Sequence, residues 1–443
     1  MVMTVMKVAV RPGLLVAALA CALSCAGGEA DLIDGVFTDE EWAKIQELSP
    51  LPDPPTDPTN RYQHDPAAAK LGQKFFFESD FAGPLTVGDD GQNGALGNAG
   101  DTGKVSCAAC HRGPWLIDTR SNPNNASLGG DWLPRNAATM VNTAYYSPWI
   151  ENDGLLDSLW SEGMIDIEAD ISFNSSRLAL AHLIYDKYRD EYNAAFDPDL
   201  DPALDAAHPD AARFPASGRP SDPEWQAMTP ADQDHVTGIY VNFGKSIHAY
   251  LTLLTSKDAP FDRYVAGEKS AISASAKRGL KLFVGKAACA ECHATPHFSD
   301  DDFHNNGLAI EGPHINPDET GRAATVSFVL NHEFNSKSKW SDDPSDTRLD
   351  GLVEDDALIG RWRTKGLRQI AETAPYMHSG QFKTLEEVID FYNDGGAMSG
   401  YKGVKDDILK PLNLTEGEKS DLVEFLKTLT GAPVADDLLR DIR

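Results

Sequence analysis

The chain has 443 residues, 41% of them hydrophobic, and a formal net charge of −29 at neutral pH. That length allows two domains of ordinary size. So acidic a surface argues against nucleic acid and anionic membranes as partners, while it permits a basic donor protein. Beyond the first 25 residues, no apolar run is long enough to span a bilayer.

Residues 1–25 read as an export signal. Lys7 and Arg11 precede a short apolar stretch, Leu14 to Ser24. Cys21 and Cys25 each follow small residues, as in a lipoprotein processing box. Cys25, with the longer apolar stretch before it, is the preferred lipid anchor; ordinary cleavage nearby is the alternative. The expected location is the periplasm or cell envelope, with an outer-membrane lipoprotein as one form of it. Residues 26–65 are acidic and then Pro-rich (Pro50, Pro52, Pro54, Pro55, Pro58), which reads as a tether or extension rather than core.

The chain then repeats itself. Leu71–Phe77 precedes Cys107-Ala108-Ala109-Cys110-His111, and Arg278–Phe283 precedes Cys289-Ala290-Glu291-Cys292-His293. Each Cys-x-x-Cys-His is a c-type haem attachment motif: two thiols add to the porphyrin vinyl groups and the adjacent His ligates the iron. Once the leader is set aside these motifs use every remaining cysteine, so no disulfide framework remains. Val87–Lys104, rich in Gly, Asp and Asn, reads as a surface insert in the first repeat. Apolar residues at three- and four-residue steps predict helices over Arg177–Phe196, Gln233–Thr255, Ala274–Val284, Leu385–Tyr392 and Glu416–Thr430, the last with a capping box at Thr415 and Glu418. The expected fold is mainly α, with two cytochrome c-like haem domains and long loops. A first domain over 66–255 and a second over 256–434 meet near Ser256–Phe261.

The chain resembles the bacterial di-haem cytochrome c peroxidase/MauG family over about residues 66–431. The likeness rests on both haem motifs, Pro134-Arg135-Asn136, Asp153-Gly154 with Asp157–Trp160, Pro260–Tyr264, Asp302–Asn305 and Thr373–Gly380. The resemblance implies a peroxide-reactive N-terminal haem, an electron-relaying C-terminal haem and a calcium ion between them. It implies that Asn136 binds calcium through its side chain, and Thr373 and Pro375 through their carbonyls; these are hard oxygen donors. From the residues alone, a helix cap at Asn136 and a plain turn at Thr373–Pro375 serve as well. The resemblance also implies an axial ligand for the second haem at Tyr392, with Met377 as the alternative. No His occurs between His111 and His182, so an open first haem is expected.

Departures from the family pattern accompany these matches. Asn152 stands where the family has a Trp between the haems, and Trp149 is the substitute relay or a packing residue. Glu162 falls at the family's distal Gln, Ser172 at its distal Glu, and Leu155 at its Arg. Ser172 cannot carry a proton near neutral pH. Glu162 can if burial raises its pKa, with Glu168 and Asp170 as alternatives. Two functions follow. One is an enzyme that reduces hydrogen peroxide with electrons from a small cytochrome c or cupredoxin, or from an unidentified protein substrate. The other is a non-enzymatic di-haem electron-transfer or sensor protein.

Overall fold

The computed structural model describes residues 32–88, 96–120 and 126–443. The expected leader with Cys21 and Cys25, and residues 89–95 of the predicted insert, lie outside these. Helix α1 (Asp39–Glu47) opens on a capping box between Thr38 and Glu41. This helix corrects the expectation of a tether over residues 26–65. Phe37, Ile45 and Leu48 are buried in one apolar cluster with Phe261, Phe283 and Phe425. Their helical spacing outweighs the acidic composition around them. The Pro-rich stretch that follows is also fixed. Pro52 accepts a hydrogen bond from the Tyr145 hydroxyl at 2.6 Å, Asp57 pairs with Arg348 at 2.8 Å, and the Thr59 hydroxyl accepts from Trp160 Nε1 at 2.9 Å. It is a strap from one apolar core to the other.

The first core is built by α2 (Pro66–Phe77), α4 (Leu159–Glu168), α5 (Arg177–Ala195) and α7 (Pro230–Leu253); α3 (Cys107–Cys110) and α6 (Pro223–Gln226) are single turns. Asp65 caps α2 through two main-chain amides, with Pro66 in its first turn. At its centre α2 passes so close to α7 that a Cβ on Gly72 would lie 2.0 Å from the Ser246 carbonyl oxygen. The second core is built by α8 (Pro260–Val265), α9 (Ala274–Val284), α11 (Leu385–Asn393) and α12 (Glu416–Lys427), with α10 (Arg322–Asn331) outside it. Its crossing repeats the first: a Cβ on Gly279 of α9 would lie 1.9 Å from the carbonyl oxygen of Asp421 on α12. A two-residue antiparallel ribbon, β1 (Phe303–His304) with β2 (Trp362–Arg363), is the one sheet among the described residues.

The five predicted helices are present with ends shifted by no more than three residues. Helices α4 and α10 were not anticipated. In α4 the buried set Trp160, Met164 and Ile167 does have helical spacing, but Gly163 and two acids interrupt it. The C-terminal tail returns to the first core, where Val434 is buried and Gln73 donates to the carbonyls of Asp437 and Arg440. Among the described residues no helix is long and apolar enough to cross a membrane.

Candidate functional site

Both haem motifs present their His in the same way. His111 Nδ1 lies 3.2 Å from the Leu116 carbonyl, and His293 Nδ1 lies 2.7 Å from that of Phe298. In each case the acceptor is five residues on and has a left-handed backbone, φ 49° at Leu116 and 60° at Phe298. Burial holds both imidazoles neutral by lowering their pKa. A neutral ring that donates through Nδ1 keeps its Nε2 lone pair for a metal. A phenylalanine from the preceding helix tilts at 42° against each ring, Phe76 on His111 at 6.4 Å and Phe283 on His293 at 6.5 Å. Two thiols and an anchored imidazole, built twice on one plan, fit two covalent haems.

The surroundings of the two motifs differ. Beside the first, α4 places Glu162 and Asp166 one turn apart on one face. Glu151 lies beside Glu162, and the charge of Lys365, from the segment after β2, acts on it. Burial, then the charges of Glu151 and Asp166, push the Glu162 carboxyl well above the usual range. Burial and Glu151 lift Asp166 to about 6, against a hydrogen bond from Ser172. Burial lowers Lys365 to about 7, helped by Arg363 and opposed by Glu151 and Glu162. The cluster belongs to the first motif, because the charges of Asp166 and Glu162 act on the Cys107 thiol. Glu162 Oε2 is buried without a partner. The loop at residues 127–132 supplies no ligating side chain here and packs on the end of α4, with Gly130 N–H donating to Ser172 and Asp131 N–H to Ile171. His182 is committed to the carbonyls of Leu204, Phe214 and Pro215.

Beside the second motif there is a phenol. Tyr392 of α11 is half-buried, burial raises its pKa, and the charges of Cys289 and Cys292 act on it. Asn306 Nδ2 donates to its hydroxyl at 3.3 Å. Met377 sits in a turn with φ 68°, and its carbonyl accepts from Gly380. His304 is clamped between Asp300 at 2.8 Å and Asp406 at 2.9 Å; hydrogen bonding to Asp300 leads in raising it to about 11. Cys292, Asp300 and His304 could together hold a metal ion by distance alone. The position of Cys292 in the haem motif commits that sulfur to a thioether instead.

Other predicted residues fall elsewhere. Trp149 packs at 6.0 Å against Phe303, and the Arg322 guanidinium lies 3.9 Å from its ring centre. A fixed cation over the ring disfavours its oxidation, so packing is the role this geometry supports. Glu168 is paired with the buried Arg177 and Asp170 with Arg219, which removes both alternatives to Glu162. Leu155 packs against the first core, and Asn152 is buried with its carbonyl accepting from Arg363. Asn136 follows Arg135, which stacks over Trp362 at 5.2 Å; Trp362 in turn stacks on His378 at 3.8 Å, in the loop of Thr373 and Pro375. Those three donors are neutral oxygens, and Arg135 already pairs with the nearby Asp153 and Glu319. Such a set suits a hard cation, weakly held. Sequence reasoning missed Glu151, Asp166 and Lys365. Only Asp166 carried a signal, its four-residue step from Glu162.

A family model described as di-haem cytochrome c peroxidase matches residues 66–270. Cytochrome-c peroxidase IdrP1 of Denitromonas iodatirespirans is 30% identical over 431 residues, covering 95% of this chain and 93% of the relative. Methylamine utilization protein MauG of Methylorubrum extorquens is 30% identical over 334 residues, 75% of each chain. In fold, the chain is similar to a MauG-like protein associated with microbial copper homeostasis, with a TM-score of 0.60 at 22% identity, over 88% of this chain and 98% of that one.

Proposed function

Because this chain belongs to the di-haem cytochrome c peroxidase/MauG family, we propose that it is an exported oxidoreductase that meets hydrogen peroxide at its first haem and exchanges electrons through its second. Cys107, Cys110 and His111 hold the first haem; Cys289, Cys292 and His293 hold the second, with Tyr392 as its axial ligand. Bound haem supplies the coordination position and the electrons that peroxide reduction requires. The protein supplies the proton handling. Burial and the neighbouring carboxylates make Glu162 hold its proton to a higher pH than an ordinary carboxyl does, and that proton is the one offered to a departing oxygen.

The observation that supports this reading is the asymmetry of the two sites: a carboxyl cluster beside the first motif, a half-buried tyrosine beside the second. Electrons come from a small cytochrome c or cupredoxin, which gives peroxide removal, or from residues of a protein substrate, which gives oxidative modification. Asn136, Thr373 and Pro375 hold calcium between the lobes, and Cys25 carries the lipid anchor in the cell envelope.

A second reading, a non-enzymatic electron carrier or sensor, draws on Ser172, Asn152 and Leu155 and on the cation over Trp149. Rapid mixing of the ferric holoprotein with hydrogen peroxide separates the two. A fast change in the Soret band is expected for the enzyme, together with one high-spin and one low-spin haem at rest. A spectrum that does not respond to peroxide assigns the carrier.

A further inference from the structure

We infer that the C-terminal segment, residues 432–443, completes the first haem site, with Leu439 and Asp436 as positioning residues for His111. This deepens the reading above and rests on it in one respect, that a haem is bound at Cys107, Cys110 and His111.

The first lobe is built to receive this segment. Gln73 of α2 and Tyr250 of α7 are buried, and buried polar groups need partners. Gln73 Nε2 donates to the carbonyls of Asp437 at 2.7 Å and Arg440 at 3.0 Å, and the Tyr250 hydroxyl donates to the carbonyl of Leu438. Glu78, the buried residue that ends α2, accepts from Arg443 at 2.7 Å and from Tyr188 at 2.6 Å. Val434 is buried in the same core. Three of these bonds go to main-chain carbonyls, so they fix the path of the segment. The second lobe is held in a matching way. Lys281 of α9 donates to the Val36 carbonyl at 2.6 Å, and the Tyr264 hydroxyl donates to Asp34 at 3.0 Å. Each helix that leads to a haem motif is gripped by a segment from outside its own lobe.

The path of the C-terminal segment meets the first motif. The Leu439 amide donates to the Asp436 carbonyl at 3.2 Å, a turn that brings both residues to one cavity of about 370 Å3. Phe77 at the end of α2, Ala108 within the motif, His111 and Leu116 form its other walls. Leu116 is the residue whose carbonyl faces His111 Nδ1. A second line of contact runs through rings. Tyr250, which holds Leu438, packs on Phe76 at 5.3 Å, and Phe76 on His111 at 6.4 Å. The segment therefore bears on the ligand's hydrogen bond and on its ring. Water access and charge beside a ligating His tune the potential of the metal it holds. Leu439, half-buried, keeps water from the His111 side; Asp436, exposed, sets an acidic group in the same wall.

The test is a redox titration of the holoprotein, with each haem followed by its own paramagnetic resonance signal. Leu439→Ala admits water, which favours the ferric charge, and should lower the potential of the first haem. Asp436→Asn removes an acidic group and should raise it, by an amount that shrinks as salt is added. The second haem should respond to neither. Amide exchange reads the same contact without the iron. In Leu439→Ala the turn over residues 112–117 should exchange about tenfold faster, and the matching turn over residues 294–299 should not. Arg440→Ala, which keeps the carbonyl that Gln73 holds, is the control. A segment that merely stabilised the fold would not give two shifts of opposite sign at one haem. First-haem potentials unmoved in both cavity variants, shifts of the same sign, equal shifts at the two haems, or a shift in Arg440→Ala as large as in Leu439→Ala overturns the inference. None of these readouts involves peroxide. A wild type that is inert to peroxide, with the two opposite shifts present, would defeat the proposed enzyme and leave the role of this segment standing.

Discussion

Gly72 and Ser246 touch main chain to main chain: a Cβ on Gly72 would lie 2.0 Å from the Ser246 carbonyl oxygen. Alanine at an ordinary helical position gains about 1 kcal/mol over glycine. Here the clash is with backbone and wins, because α2 must move off α7. Gly72→Ala is expected to cost about 3 kcal/mol and to impair loading of the first haem selectively. Gly279→Ala, which would meet the Asp421 carbonyl oxygen at 1.9 Å, should impair the second. Gly417→Ala, with nothing nearer than 4.0 Å, is the control and should be neutral or stabilising. Thermal melts with haem-to-protein ratios decide it; equal behaviour of all three variants would refute the crossing as the cause.

A buried ion pair ties the strap to the second lobe. Arg368 donates to Asp262 at 2.5 and 3.0 Å, and Asp262 also accepts from Ser49 and from the Ala259 amide. Burial pushes the Asp262 carboxyl up, but Arg368 overrides it and the net shift is downward. Arg368→Gln strands a buried carboxylate, so a loss of about 3–5 kcal/mol is expected in urea unfolding. Arg368→Gln with Asp262→Asn should lose less than the single change. A double variant as unstable as the sum of the singles would show that the pair is not coupled.

The sequence displays what is contiguous and hides what is assembled. Both haem motifs are five-residue words, and helices such as Ala274–Val284 show their apolar spacing directly, so both were legible. The carboxyl cluster was not. Lys365 reaches Glu151 and Glu162 across about two hundred positions, and Glu151 owes its place to a bridge and to Arg363 rather than to any local pattern. The Phe37–Leu48 segment was misread for a related reason. Its acidic residues face solvent while a few apolar ones reach the second core, and average composition reports the majority.

His248 predicts an acid-labile fold. It is buried on α7, its Nδ1 has no partner, and it lines a cavity of about 20 Å3 with Asp57, Tyr146, Ser158 and Arg348. Burial lowers its pKa to about 4; Arg348 and His64 add to this, and Asp57 opposes it. As pH falls below about 6.5 the unfolded chain takes up a proton that the folded His248 refuses, so stability declines until about pH 4. His248→Gln should remove that part of the slope. The stability of the variant relative to wild type should rise by about 2–3 kcal/mol between pH 7 and pH 4.5. A difference that does not change with pH would exonerate His248.

The axial ligand of the second haem can be decided with two substitutions. Tyr392 is half-buried near Cys289 and Cys292 and accepts a hydrogen bond from Asn306. Met377 lies in a turn whose main chain bonds within itself. A phenolate is a hard anionic donor and holds ferric iron at a lower potential than a thioether does. Tyr392→Phe should therefore convert the second haem from low spin to high spin in paramagnetic resonance, with the first haem's signal unchanged. Tyr392→Met should restore a low-spin signal and raise the potential of that haem. Met377→Leu should alter neither. Retention of the low-spin signal in Tyr392→Phe, with its loss in Met377→Leu, would transfer the role to Met377. It would also remove the asymmetry on which the peroxide reading depends at the second site, while leaving the carboxyl cluster at the first untouched.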